Sequence, residues 1–313
     1  MNAASSMRTT FTLTRLRTEG RDFLELFLIP SLAVILPWSW CFGLFRWLSK
    51  LEFLYRTASE SAYSQAQSRG WAADRLAWLA RRRLYAMVDH ADYYLVRTRS
   101  DRWLKRHFDV TGMWPPPATA ALLCTFHWGA GMWSLRHASS QGIRAHALVA
   151  PLEGVNFEGR TVLRWYARVR TAAVAMILGH ATIDVGASMR PALRALKQDE
   201  PLLALVDVPA DQVSASVTIQ FLGHTARVPK ALLRLAVDQK LPMTLFLVGM
   251  RPEDGRRFLR LRQVGIGETV ETLARDVFDS LEQAIAEDPP AWHLWGESER
   301  FFERFKPEAG EPQ

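Results

Sequence analysis

Cysteine is scarce in this chain. Cys41 and Cys124 are the only two in 313 residues, far apart and each inside an apolar run. Such a pair builds neither a disulfide framework nor a thiolate metal site, and it fits a reducing, cytosol-facing setting. The loops that cradle phosphates are missing too: there is no Gly-x-Gly-x-x-Gly and no Walker sequence, which disfavours a nucleotide enzyme. The Gly-x-Ser-x-Gly elbow of a soluble hydrolase is absent. No zinc-finger spacing, RNA-binding aromatic motif or long basic run occurs, so no nucleic-acid partner is expected despite a net charge of +7. His137, His180, His224 and His293 show no metal-ligand spacing, and neither a metal nor a cofactor is expected.

What the chain does have is apolar surface, tryptophan and arginine. Hydrophobic residues make up 49% and charged residues 23%, which excludes a disordered chain. The length suits one large α/β domain with a helical appendage. Three of the 12 Trp adjoin an arginine, at Arg46-Trp47, Arg102-Trp103 and Arg164-Trp165. That pairing suits a membrane interface and also ordinary core packing. A basic surface selects anionic partners, here an anionic membrane surface or an acidic carrier protein. Residues 26–45 carry no charge and are nearly all apolar, about the length that spans a bilayer core. Pro30 and Pro37 interrupt them and predict kinks. Basic residues flank the stretch on both sides, so full span and re-entrant or interfacial hairpin stay open. Residues 1–55 are therefore expected to form an N-terminal membrane-associated helical segment.

Residues 56–108 read as helices, with a basic run at Arg81-Arg82-Arg83 that suits lipid headgroups or a solvated face. Pro115-Pro116-Pro117 breaks the pattern. Beyond it, strands are expected over 120–126, 145–150, 173–178, 202–206, 217–221, 243–248 and 258–261. Helices are expected over 133–139, 161–170, 188–196, 230–239 and 270–286. Strands alternating with helices predict an α/β fold, a mixed sheet flanked by helices, over 56–313 including the helical lead-in. In such sheets ligands sit beyond the strand ends.

The best chemical locus is 122–133, where an apolar strand runs into His127, then Trp128-Gly129-Ala130-Gly131, then a helix. An imidazole there can face a crevice and take a proton near neutral pH. Gly129 and Gly131 allow close approach of backbone or substrate. Cys124 lies three residues earlier and, on an alternating strand, tends to the opposite face, which argues against a thiol nucleophile.

Around this locus the order of segments resembles the lauroyl/myristoyl (lipid A late) acyltransferases of the lysophospholipid-acyltransferase superfamily. Those proteins have an anchor, a helical lead-in, and a strand ending in His with an acid after four intervening residues, often His-Phe-Gly-Asn-Trp-Glu. Here the match is His127–Gly131, with Met132 at the acid's place. The stretch 201–207, ending in Asp207, looks like the family's strand that ends in Asp. Phe221-Leu222-Gly223 followed by Val228-Pro229 looks like its Phe-Phe-Gly…Pro segment. Pro289-Pro290-Ala291-Trp292-His293-Leu294-Trp295 resembles its C-terminal Pro-x-x-Trp-x-Trp. The likeness covers about 23–301.

The resemblance implies a glycerolipid-acyltransferase-like fold with an N-terminal anchor at the cytoplasmic side of a bacterial inner membrane. It implies transfer of a fatty acyl group from acyl-ACP or acyl-CoA to a hydroxyl or amine of a membrane lipid or glycolipid acceptor. His127 is then the general base. Trp128, Gly129, Gly131, Arg170 and Gly223 are the candidate substrate-binding residues. Two departures stand out: Met132 cannot orient an imidazole, and Ala150-Pro151 stands where many members have Arg-Pro. Another carboxylate is therefore expected to orient His127. Asp207 is the first candidate, ahead of Asp211 and Asp184. Binding of lipid or carrier without transfer is the alternative.

Overall fold

The computed structural model describes residues 2–152, 157, 159–186, 188–212, 215–265 and 269–302; within 2–12 and at 210 it describes backbone only. The N-terminal part is helical. Helix α1 (Asn2–Phe23) passes through a π-helical turn (Leu24–Leu28) into α2 (Ile29–Ile35). The widening falls just ahead of Pro30, which has no N–H for the α-helical ladder. Leu36 is extended (ψ 149°), as expected of a residue before proline, and α3 (Trp38–Leu48) starts afresh after Pro37. The apolar run therefore forms two short helices. No helix among the described residues is long and apolar enough to cross a membrane.

This segment is bonded to the rest of the chain. Buried Asp22 takes the Arg160 guanidinium on both oxygens, at 2.6 and 2.8 Å. Glu25 accepts from the Tyr55 N–H at 2.6 Å. Glu19 accepts from the N–H groups of Thr161 and Val162 at 2.6 and 2.8 Å, and so caps α8 (Thr161–Leu178) with a carboxylate at the positive end of its dipole. Helices α4 (Arg56–Ser68), α5 (Arg75–Thr98) and α6 (Asp101–Arg106) follow as expected. Asp74 caps α5 through Leu76 and Ala77.

The remainder is β1 (Phe108–Thr111), β2 (Leu122–Thr125), α7 (Met132–Ser140), β3 (His146–Val149), α8, β4 (Ile183–Asp184), α9 (Arg190–Leu196) and β5 (Leu202–Leu205). Then come β6 (Ser216–Phe221), β7 (His224–Pro229), α10 (Ala231–Gln239), β8 (Met243–Met250), β9 (Arg257–Val264) and α11 (Val270–Glu287). Seven strands form one mixed sheet in the order β1-β9-β8-β2-β5-β3-β4. All its neighbours are parallel except β8 and β9. Strands β6 and β7 form a separate hairpin. The fold is thus α/β with helices flanking a mixed sheet. The middle strands β2 and β5 are continuous apolar runs because both of their faces are buried beneath the flanking helices.

One expected strand is absent. Residues 173–178 continue α8 to its C-cap, Gly179, in left-handed conformation (φ +76°). A short apolar run does not distinguish strand from buried helix, and the alanines here favour helix. In the core, Arg257 of β9 pairs with Asp92 of α5, both fully buried. The Arg257 guanidinium lies over the rings of Trp38 and Trp133 at 4.1 and 4.6 Å, which offsets part of its desolvation.

Candidate active site

The parallel pairing of β2 and β5 sets Thr125 beside Leu205. Two residues further along each chain, His127 and Asp207 stand side by side beyond the carboxyl ends of the strands. Asp207, fully buried, is held by three donors. The His127 backbone N–H donates to both carboxylate oxygens at 2.9 Å, and the Trp292 indole N–H donates to Oδ2 at 3.0 Å. His127 Nδ1 lies 3.0 Å from Oδ1. Because Nδ1 faces an acceptor, it carries the proton, and the lone pair of the neutral ring is left on Nε2. Nothing among the described residues bonds Nε2, and the His127 side chain is 35% exposed. Burial disfavours the protonated ring, but the Asp207 charge and hydrogen bond outweigh it and raise the pKa above 6.5.

The following loop is fixed by its backbone. Gly129 has φ +72°, and a Cβ there would meet the Val248 carbonyl oxygen at 1.8 Å; only glycine fits. Gly129 N–H donates to Ala291 O at 3.0 Å and Ala130 N–H to Val248 O at 3.1 Å. The N–H groups of Trp128 and Gly131 bond no acceptor among the described residues. Gly131 precedes α7, and a side chain added there would point into open space.

The residues after α11 close the site from the other side. His293 N–H donates to His127 O at 2.7 Å, and its Nε2 lies 2.7 Å from Gly129 O. Its Nδ1 faces Arg82 at 3.2 Å, a donor, so the ring is the Nε2–H tautomer. Burial, then the Arg82 charge, push the His293 pKa down to about 3, and the ring stays neutral. Arg82 also donates to Pro290 O and His293 O, each at 3.2 Å. Arg81 and the Tyr85 hydroxyl bond Asp288 at 3.1 and 2.7 Å. Arg83 donates to Ser49 O at 3.3 Å. The basic run of α5 therefore neither meets headgroups nor forms a solvated face. Arg82 and Arg83 are buried, and Arg81 and Arg82 clamp the segment that supplies Trp292 and His293.

The other expected residues are placed as follows. Met132 is buried in the core. Asp211 pairs with Arg300 at 2.8 Å, and Asp184 accepts from Gly186 N–H at 2.7 Å in a turn; neither reaches His127. Arg170 bonds Asp89 at 2.8 Å and the Tyr166 hydroxyl at 3.1 Å. Burial works against the Asp89 charge, but Arg170 outweighs it and holds that carboxyl at about 2. Arg170 makes no bond to the His127–Asp207 pair. Gly223 (φ +79°) and Leu222 (φ +52°) form the tight turn of the β6–β7 hairpin. The turn carries Phe221, whose ring meets Trp292 edge-on at 5.7 Å. Gly223 thus stands behind the site as a turn residue. Cys124 is fully buried, and burial pushes its thiol up to about 12. An apolar groove of about 490 Å³ lies between α5, α8 and the π-turn, lined by Phe27, Tyr94, Trp165 and Met176 among others. None of its lining residues belongs to the His127–Asp207 pair.

Trp292, His293 and Arg82 are the site residues that sequence reasoning passes over. The signal for Trp292 and His293 is the Pro-x-x-Trp-x-Trp-like segment and that for Arg82 is the basic run, and neither pattern names the bonds these side chains make. No protein-family model matches this chain, and no curated protein matches it in sequence.

Proposed function

We propose that this protein is an acyltransferase. It moves a fatty acyl group from an acyl thioester, acyl-ACP or acyl-CoA, to a hydroxyl or amine of a membrane lipid or glycolipid. The observation that carries the reading is the His127–Asp207 pair with Nε2 free and open to solvent at the strand ends. Nε2 takes the proton from the acceptor O–H or N–H as that atom attacks the thioester carbonyl. Asp207 stabilises the imidazolium that forms. The tetrahedral oxyanion is met by unpaired N–H groups, for which Trp128 and Gly131 have the vacant donors. The C–S bond then breaks, and the imidazolium returns its proton to the thiolate. The orienting carboxylate comes from Asp207 on the neighbouring strand, in the role that Met132 cannot fill.

Residues 1–55 supply contact with the membrane in this account, at the cytoplasmic side of a bacterial inner membrane. On α3, Cys41, Phe42 and Phe45 face the core while Trp40 and Trp47, seven residues apart, are 72% and 58% exposed. Exposed tryptophans one heptad apart suit a helix lying in the interface with its ends anchored in headgroups. The anionic surface attracts the basic chain.

The test is incubation of the purified chain with labelled acyl thioesters and a bacterial lipid extract, followed by lipid mass spectrometry. Wild type is expected to yield a labelled lipid and His127→Gln to yield at least ~100-fold less. Equal product from both proteins would refute the assignment, and no product from wild type would favour binding without transfer.

A further inference from the structure

A second convergence of ligating side chains lies at the opposite end of the sheet. His146 opens β3 beside Leu202, and Glu200 stands two residues before β5. His180 follows Gly179 at the end of α8. These are the amino ends of parallel strands, whereas His127 and Asp207 lie past the carboxyl ends. His146 Nε2 is 3.0 Å from Glu200 Oε2, and His180 Nε2 is 3.9 Å from Glu200 Oε1. The two imidazoles stack with centroids 4.5 Å apart. One ligand atom from each of the three residues lies within 4.8 Å of the others.

His146 has a hydrogen-bonding conflict. Its Nδ1 is 2.7 Å from Ala181 O, and its Nε2 faces the Glu200 carboxylate. Both ring nitrogens meet acceptors, yet a neutral imidazole has one N–H. A cation between Nε2 and the carboxylate removes the conflict. It leaves Nδ1–H donating to a backbone carbonyl, the outer-shell bond that holds ligating imidazoles in place.

We propose that His146, His180 and Glu200 bind a divalent transition-metal ion of the Zn²⁺ class. Two imidazole nitrogens and one carboxylate suit Zn²⁺ or Co²⁺, whereas Mg²⁺ and Ca²⁺ take oxygen ligands. Metal–ligand bonds of about 2.0–2.2 Å put tetrahedral ligand atoms roughly 3.3 Å apart. The 3.0 Å contact fits that spacing, and the 3.9 Å contact closes with a small side-chain rotation. Water would fill the fourth position at this partly buried site. Arg144, which donates to Gly179 O at 2.8 Å, is the opposing charge on the rim. Bound metal ties the end of α8 to β3 and to the turn before β5, so its role is to staple these elements, apart from the proposed acyl-transfer site.

The experiment uses the full chain, stripped with chelator and checked by circular dichroism. Zn²⁺ is titrated calorimetrically, and Co²⁺ is followed by visible absorption. One ion per chain is expected, with the intense bands of four-coordinate Co²⁺ and no displacement by excess Mg²⁺. His180→Ala, on a side chain 23% exposed, and Glu200→Gln are expected to fold and to lose at least ~10–100-fold in affinity. Unchanged affinity in both variants, or no stoichiometric binding by wild type, overturns the proposal and leaves His146 paired with Glu200 alone.

Discussion

His127 is oriented through two atoms of the same residue: its backbone N–H and its Nδ1 both reach the Asp207 carboxylate. Ring and main chain therefore cannot shift independently, and Nε2 is aimed by the strand ends. Asp207→Asn breaks the logic at one atom, because an amide can present N–H₂ to Nδ1 and favour the tautomer with the proton on Nε2. Transfer by Asp207→Asn is expected to fall by ~10²–10⁴-fold, mostly in kcat, without loss of fold. Trp292→Phe keeps the packed ring and removes one of the carboxylate's donors, for an expected stability cost of about 1 kcal/mol and a smaller rate loss than Asp207→Asn. Single-turnover rates of the two variants check this; Asp207→Asn within twofold of wild type would contradict it. At this scale the sequence is readable where a residue ends an apolar strand, as His127 and Asp207 do. It is silent on Trp292 and His293, because an indole or imidazole in a C-terminal loop looks the same whether it packs or donates.

Among the elements, α5 and the segment after α11 form a clamp that depends on neutral histidine. His293 is pushed down to about 3 and His90 to about 4, in each case chiefly by burial. Both folded values lie below the 6.5 of a free ring, so the unfolded chain binds more protons as pH drops. Their stabilising contributions are complete above pH 6.5 and are lost as pH falls toward about 3 and 4. His127, shifted upward, acts in the other direction: its contribution is present at low pH and is lost as pH rises through its folded pKa. Urea unfolding from pH 6.5 to 4.5 is expected to show falling stability. His293→Gln retains an amide donor for Gly129 O and removes the titration, so its slope is expected to be shallower by up to about 1.4 kcal/mol per pH unit. Identical slopes would contradict the neutral clamp. Helices with clear periodicity, such as α7, α10 and α11, the last also capped by the Thr269 hydroxyl, follow their sequence pattern closely. The end of α8 does not, because an Ala-rich apolar run satisfies either geometry until Gly179 stops it. The pairs β1–β9 and β3–β4 depend on distant partners that local pattern does not name.

Across the whole molecule, the alternation of apolar runs and helices is enough to read an α/β sheet, while the N-terminal run leaves its arrangement open. Its length suggests a span, but Pro37 splits it, and Asp22 and Glu25 bond it to Arg160 and Tyr55. The Arg81–Arg83 run misleads, since the partners of Arg81 and Arg82 lie some 200 residues away in the chain and Arg83 turns back to Ser49. The His127–Asp207 pair is equally a product of tertiary structure: 80 residues separate its members, and only the pairing of β2 with β5 joins them. Its most direct test is ¹⁵N NMR titration of His127 in the intact folded protein beside Asp207→Asn. The account predicts an Nδ1–H tautomer with a pKa above 6.5 in wild type and a lower pKa in the variant. An Nε2–H tautomer in wild type, or a pKa at or below 6.5 that the substitution does not move, would contradict it.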